Sequence, residues 1–274
     1  MHAVPVRRLP YTLTETSVLA VIPARYHSTR LPGKPLLDIA GQPMIARVYA
    51  RVRQARRVDA VLVATDDPRI VSAVEAAGGH AWLTAADHPS GTDRLAEVAR
   101  ELPCGIIVNV QGDEPLIDPA AIDAAVEPLV ADPAIEMTTL CRPLAEGELA
   151  NPNVVKVVRR LDGRALYFSR LPIPYRRDLP SDPSMASVPS VPSVPSVPSV
   201  AHVGLYAYRR ATLLRLAGLR PTALEQAESL EQLRALEHGI DITVIPTNHD
   251  GIGVDTPEDL ERVRQRLLAG ATRA

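Results

Sequence analysis

The stretch from Val21 to Pro35 reads Val-Ile-Pro-Ala-Arg-Tyr-His-Ser-Thr-Arg-Leu-Pro-Gly-Lys-Pro, and it decides the fold of the chain. The apolar run 17–22 leads into it and predicts a buried strand, which ends at Pro23 because proline cannot donate to a sheet ladder. A strand, a basic loop containing glycine and then a helical pattern are typical of a polyphosphate site in an α/β protein. The cations of that loop are Arg25, Arg30 and Lys34.

Composition limits the class of protein. The 274 residues carry a net charge of −2, so no basic surface predicts a nucleic-acid partner. No apolar run is long enough to span a membrane, and we expect no membrane insertion. Cys104 and Cys141 lack the spacing of metal ligands, which predicts a reduced, cytoplasmic protein.

We predict a loose extension over residues 1–16 and a single domain over 17–274, because no linker divides the chain. Ser187 to Val200 repeats Ser-Val-Pro. Proline at every third residue favours polyproline II and excludes a helix or a central strand. We therefore predict a flexible surface loop over 178–200 that carries no chemistry.

Strand and helix patterns alternate through the first half of the chain. Apolar runs predict strands at 17–22, 60–64, 80–84 and 105–110, and helical patterns follow them, including one over 41–57. Three βα units within about 130 residues predict right-handed crossovers and a parallel sheet. Ligands of such sheets lie at the carboxyl ends of the strands. In the second half we predict strands at 135–140, 154–159, 165–168, 202–208 and 242–245, and helices at 211–217, 228–238 and from Pro257 onward.

The basic loop has two interpretations. Arginine forks and a lysine point charge can neutralise phosphate oxygens, and Gly33 lets backbone N–H groups approach them. An exposed basic turn explains the same residues equally well. The loop is not a Walker A motif, because position 28 is Ser and Lys34 is followed by Pro35.

Two acidic turns provide candidate metal ligands. Asp113 follows the strongest predicted strand, and a carboxylate there is a hard oxygen donor suited to Mg²⁺, with Gln111 near the ligand. A polar turn that merely closes the strand is the alternative. Thr256 and Pro257 are explained as a helix cap, but Asp255 is not, and we interpret it as a second metal carboxylate.

Other polar residues are ambiguous when taken alone. The helix start at Ser90 to Arg94 could hold an anion or a base edge, or be a plain helix start. Taken singly, His202, Arg170, Glu225, Glu228 and Glu231 are more often solvated or structural residues. A charged, solvated helix face explains Glu228, Glu231 and Arg234. No motif of a covalent nucleophile is present, so the inventory favours metal-assisted attack on a nucleotide phosphate.

Several motifs occur in a characteristic order. They are Ile22–Pro35, Val63–Asp66, Ser90–Glu97, Asn109–Pro115, Asn151–Val158, Ala165–Arg170, His202–Tyr206, Leu230–Arg234 and Gly253–Leu260. Together they resemble the 3-deoxy-manno-octulosonate cytidylyltransferase (CMP-Kdo synthetase) family from about residue 17 to 268.

The resemblance implies an α/β, Rossmann-like, three-layer nucleotidyltransferase fold with a mostly parallel central mixed sheet. It implies a homodimer that requires Mg²⁺ and converts CTP and 3-deoxy-D-manno-octulosonate (Kdo) to CMP-Kdo and pyrophosphate for lipopolysaccharide biosynthesis. A related sugar acid such as 8-amino-Kdo, or a nucleotide-binding module without catalysis, are the alternatives.

The resemblance also assigns roles by position. It implies that Lys34, Asp113 and Asp255 are catalytic and that both aspartates bind the metal. The implied nucleotide-binding residues are Ala24, Arg25, Arg30, Lys34, Ser90, Gly91, Arg94 and Gln111. The implied sugar-binding residues are Arg170, His202, Tyr206, Glu228 and Gln232.

Overall fold

The computed structural model describes residues 12–27, 31–175 and 199–271. The strands are β1 Val18–Ala24, β2 Asp38–Ile39, β3 Gln42–Pro43, β4 Ala60–Thr65, β5 Ala81–Leu83, β6 Ile106–Asn109, β7 Met137–Pro143, β8 Lys156–Arg159, β9 Ala165–Ser169, β10 Val200–Arg209 and β11 Ile242–Pro246. The helices are α1 Met44–Val52, α2 Pro68–Ala76, α3 Gly91–Glu101, α4 Pro119–Ala131, α5 Arg210–Ala217, α6 Ala223–Glu228, α7 Gln232–Glu237 and α8 Pro257–Ala271.

Nine of these strands form one mixed sheet with the order β11-β7-β10-β6-β1-β4-β5, to which β8 and β9 add beside β10. Strand β1 pairs in parallel with both β4 and β6. Strand β10 runs antiparallel to β6 and β7. The predicted α/β class with a mostly parallel mixed sheet is therefore confirmed, as are the predicted strands within one to three residues at their ends.

Strand β1 shows why the fold has three layers. Successive side chains of a strand point to opposite faces of the sheet. Leu19 and Val21 pack in one core with residues of α3 and α5, whereas Ala20 and Ile22 pack in a second core with residues of α1, α2 and α4. An uninterrupted apolar run is what a strand covered on both faces requires.

Two predicted helices differ from those observed. The helix predicted over 41–57 is confined to Met44–Val52, because the residues before it form the small β2–β3 hairpin. The helix predicted over 228–238 is wrong as a single element. Ser229 adopts a left-handed conformation (φ 51°), which ends α6, and α7 begins only at Gln232.

Parts of the predicted domain organisation lie outside the described residues. These are residues 1–11 of the N-terminal extension and 176–198 of the Ser-Val-Pro loop, so the proposed boundaries and the flexibility of that loop stay predictions. Among the described residues, no helix combines the length and apolarity needed to cross a bilayer.

Candidate active site

Lys34 lies between two carboxylates. Its Nζ donates to Asp113 Oδ2 at 2.7 Å and to Asp255 Oδ1 at 2.9 Å. Burial works to lower the pKa of Lys34, but the two carboxylates outweigh it and raise that pKa above its ordinary value. This cation of the basic loop and both predicted metal carboxylates therefore meet at one point.

Three separate segments bring this cluster together. Lys34 follows the β1 loop, and Gly33 turns the chain towards it with a φ of 68° that favours glycine. Asp113 follows β6, which lies beside β1 in the sheet. The Val254 N–H donates to the Asp113 carbonyl at 2.9 Å, which places Asp255 beside Asp113. The predicted convergence at the carboxyl ends of the strands is therefore observed for these residues.

The two carboxylates suit a divalent cation. They already converge on one ammonium group, which stands where a cation would be held. Mg²⁺ is commonly bound through one or two carboxylates together with substrate phosphates, and not by a protein cage. Within residues 12–27, 31–175 and 199–271, no cluster of three or more His, Cys, Asp or Glu side chains suited to a metal occurs.

A cavity of about 520 Å³ opens beside the cluster. It is large enough for a substrate of the size of a nucleotide or a sugar acid. It lies where α3 begins, next to β10 and α7. The predicted site residues on its wall are Gly91, Gln111, Arg170, Tyr206, Gln232 and Asp255.

Arg170 is held in the cavity wall by Glu228. The Arg170 backbone N–H donates to Glu228 Oε2 at 2.9 Å, and its Nε donates to the Glu228 carbonyl at 2.7 Å. Ser169 Oγ donates to Glu228 Oε1 at 2.6 Å. Burial works to raise the pKa of Glu228, but these hydrogen bonds hold that pKa below its usual range. Glu228 thus stays ionised and orients Arg170.

His202 supports the wall from behind. Its Nε2 lies 2.9 Å from Thr139 Oγ1, and its ring packs against Phe168 and Tyr206. Burial lowers the pKa of His202 to about 3, so the imidazole is neutral at ordinary pH. Burial likewise raises the pKa of Tyr206 well above 10, which keeps its hydroxyl protonated.

Of the predicted nucleotide residues, Gly91 and Gln111 lie on the cavity wall, Ser90 directly precedes Gly91, and Arg25 lies outside the wall. Ser90 caps α3: its Oγ accepts from the Asp93 N–H at 3.1 Å and donates to Asp93 Oδ2 at 2.7 Å. Gln111 Nε2 donates to the Gly204 carbonyl at 3.1 Å. Arg25 is exposed and donates to the His88 carbonyl at 2.6 Å.

Two other predicted nucleotide residues are buried or undescribed. Ala24 ends β1 and is buried. Arg30 lies outside the described residues, as do Ser28 and Thr29.

Arg94 lies beneath the surface. Its side chain is fully buried, hydrogen-bonds to Thr84 Oγ1 and lies 3.6 Å from Asp66 Oδ1. Burial lowers the pKa of this guanidinium. Within the described part of the chain, its Nε and Nη2 have no hydrogen-bond acceptor. The structure thus places Arg94 behind the helix start rather than on the cavity wall.

Sequence reasoning missed part of the cavity. Thr92, Tyr208 and Glu231 lie on its wall, and Thr92 Oγ1 donates to Glu231 Oε2 at 2.9 Å. Tyr208 shares its face of β10 with Tyr206, so strand alternation from Tyr206 could have found it. Nothing in the sequence signalled the long-range contact of Thr92 with Glu231.

The solvated helix face predicted for Arg234 is wrong. Arg234 is 7% exposed, and its Nε donates to Glu225 Oε2 at 2.8 Å. The pair lies inside the protein because α6 ends at Ser229, where the chain turns and packs α7 against α6.

Comparisons with known proteins agree with this geometry. A family model described as Cytidylyltransferase matches residues 19–242. The 3-deoxy-manno-octulosonate cytidylyltransferase of Geobacter sulfurreducens is 54% identical over 252 residues, covering 92% of this chain and 99% of that protein. The protein of the same name from Syntrophotalea carbinolica is 55% identical over 92% of this chain and 98% of its own length.

A solved structure is similar along the whole fold. It is a CMP:2-keto-3-deoxy-manno-octonic acid synthetase complexed with CTP, with 46% identity, a TM-score of 0.84, and coverage of 93% of this chain and 100% of that one. A cytidylyltransferase structure from Leptospira borgpetersenii shares the fold at 17% identity and a TM-score of 0.61.

The mixed α/β sheet and the site at its carboxyl rim define a nucleotidyltransferase. Within that class, the chain belongs to the 3-deoxy-manno-octulosonate cytidylyltransferase family. The predicted resemblance and enzyme class are confirmed.

Proposed function

We propose that this enzyme transfers the cytidylyl group of CTP to Kdo and releases pyrophosphate. The observation that carries the proposal is the convergence of Lys34, Asp113 and Asp255 beside a cavity lined by Arg170 and Gln232. The cluster suits a phosphate with its counter-cation, and the guanidinium and amide suit an acidic polyol. Both substrates can therefore meet at the rim.

The reaction is an in-line displacement. The anomeric C2 hydroxyl of Kdo attacks the α-phosphorus of CTP and gives up its proton to solvent, while the bond from the α-phosphorus to the bridging oxygen breaks. Pyrophosphate leaves with the bonding electrons. Positive charge around the departing group favours this step, and we assign it to Arg25, Arg30 and Lys34.

We propose that Asp113 and Asp255 hold Mg²⁺. The fit rests on two convergent carboxylates that already hold a cationic group. Bound there, Mg²⁺ would supply charge neutralisation at the α-phosphate and a lowered pKa for the attacking hydroxyl. Lys34 would then be free to turn from the carboxylates to the triphosphate.

The remaining predicted residues divide by position. We propose that Arg170 pairs with the Kdo carboxylate and that Tyr206 and Gln232 bind its hydroxyl groups, with His202 and Glu228 fixing these side chains from behind. We propose that Gly91 and Gln111 on the cavity wall contact the nucleotide, together with Ser90 at the start of α3. Arg94, buried behind the start of α3 and beside Asp66, would support this wall from within.

The test is a pyrophosphate-release assay with a panel of nucleotides and sugar acids. We expect release from CTP only when Kdo is present. Preference for 8-amino-Kdo would support the alternative acceptor, and no release with any pair would support a binding module. Release with other nucleotides but not CTP would contradict the cytidylyl assignment.

We also propose that the enzyme works as a cytoplasmic homodimer supplying CMP-Kdo to lipopolysaccharide biosynthesis. Free, buried Cys104 and Cys141 agree with a reducing compartment.

Three leucines, Leu161, Leu166 and Leu171, are exposed around the β8–β9 hairpin, and exposed apolar patches often mark interfaces. Light scattering should report a dimer for the wild type and a monomer for Leu166→Glu; an unchanged mass would contradict this interface.

A further inference from the structure

Two loops carry the proposed metal carboxylates, and a side-chain pair joins them. Glu114 directly follows Asp113, and His249 lies on the segment that leads to Asp255. His249 Nε2 lies 3.5 Å from Glu114 Oε2, and the two side chains are only 4% and 15% exposed. The pair therefore spans the two loops inside the protein, close to the carboxylates but distinct from them.

Gly251 allows this approach. A Cβ built on Gly251 would lie 2.3 Å from His249 Nε2 and 3.3 Å from Glu114 Oε2. The imidazole is thus packed directly against the glycine backbone, and the buried ring has little room to retreat. At Gly253, in the same segment, a Cβ would meet nothing within 4 Å. The space requirement is specific to position 251.

His249 is also fixed to the sheet. Its backbone N–H donates to Thr247 Oγ1 at 3.1 Å, and the Thr247 N–H donates to the Cys141 carbonyl of β7 at 2.8 Å. These bonds fix the backbone of His249 to β7, and its ring contacts Glu114 beside Asp113, so His249 connects β7 with the Asp113 loop. Neither His249 nor Glu114 lies on the cavity wall.

We propose that His249 and Glu114 are positioning residues that set the separation of Asp113 and Asp255 for a divalent cation. The inference rests on the proposed metal site. It goes further, because it assigns control of the distance between Asp113 and Asp255 to two side chains that do not line the cavity. Groups that orient metal ligands typically change metal affinity by about 10- to 100-fold when they are lost.

The test measures Mn²⁺ binding by electron paramagnetic resonance with CTP present and Kdo absent. The variants are His249→Gln, Glu114→Gln and Gly251→Ala, with Gly253→Ala as the matched glycine control. We expect Mn²⁺ affinity to fall about 10-fold or more in the first three and to stay at the wild-type value in the control. The double variant His249→Gln/Glu114→Gln should bind no more weakly than either single variant.

A general loss of stability must be separated from this effect. Val126→Ala, which removes apolar contacts in the core beneath α4, should lower the melting temperature without changing Mn²⁺ affinity. Wild-type Mn²⁺ affinity in Glu114→Gln and His249→Gln would overturn the positioning role while leaving the metal site intact. Absence of Mn²⁺ binding by the wild type would overturn the metal site itself, and this inference with it.

Discussion

Lys34 Nζ lies 2.7 Å from Asp113 Oδ2, at the point where a bound cation would be expected. The ammonium reaches Asp255 as well, so the positive charge of Lys34 contacts both carboxylates. A side chain proposed to hold the triphosphate therefore neutralises the proposed metal ligands. Substrate and metal would together exchange this internal cation for an external one.

Replacing Lys34 should separate these two roles. In Lys34→Met, the competing ammonium is gone, so Mn²⁺ alone should bind about tenfold more tightly, as expected when repulsion between nearby like charges is removed. CTP should bind more weakly, because a cation for the triphosphate is lost. Calorimetric titration of each ligand measures both effects.

Lys34→Arg is the control for charge. It keeps the positive charge, so its affinity for Mn²⁺ alone should remain closer to that of the wild type than to that of Lys34→Met. Unchanged or weaker Mn²⁺ binding by Lys34→Met would contradict the exchange.

The contact between Thr92 and Glu231 should contribute to stability. Thr92→Val removes the hydroxyl that donates to Glu231 and should cost about 1–3 kcal/mol of unfolding free energy, because a partly buried carboxylate loses a partner. Urea denaturation measures this cost.

Glu231→Gln tests the charge of the same contact. Burial raises the pKa of Glu231, so the folded state disfavours its ionised form. Relative to the wild type, the glutamine variant should therefore gain stability at neutral pH and lose that advantage as the pH falls. An unfolding free energy that is the same in Thr92→Val as in the wild type would contradict a stabilising contact between Thr92 and Glu231.

His202 should make the protein sensitive to acid. Its folded pKa of about 3 lies below the ordinary value of 6.5, so the unfolded chain binds more protons between these values. The contribution of the neutral ring is complete above pH 6.5 and is lost as the pH falls towards 3. The loss has an upper limit of about 1.4 kcal/mol per pH unit.

His202→Gln removes that titration. Urea denaturation between pH 7 and pH 5 should show the unfolding free energy of the wild type falling more steeply than that of the variant. Parallel curves would contradict a depressed pKa for His202.

Local signals in the sequence were enough for most of the fold. Apolar runs predicted the strands, and Thr256 predicted a helix start because its Oγ1 accepts from the Asp259 N–H three residues further on. This is an interaction between near neighbours in the chain. The break at Ser229 was missed because a serine in the left-handed conformation has no local signature.

The partners of the site residues could not be predicted in this way. Lys34 and Asp255 are separated by 221 residues, and Thr92 and Glu231 by 139. Strand order brought the carboxyl ends together, which is why the rim was foreseen. Which side chain contacts which carboxylate depends on loop geometry that only the folded chain defines.

Kdo-dependent pyrophosphate release by Asp113→Asn at saturating Mg²⁺ tests the central claim most directly. The amide keeps the shape of the side chain but removes the charge that would hold the cation. We expect turnover to fall at least about 100-fold, the size of effect seen when one group that stabilises transition-state charge is lost. Turnover close to that of the wild type, in a variant that folds normally, would contradict the assignment of Asp113 as the metal carboxylate.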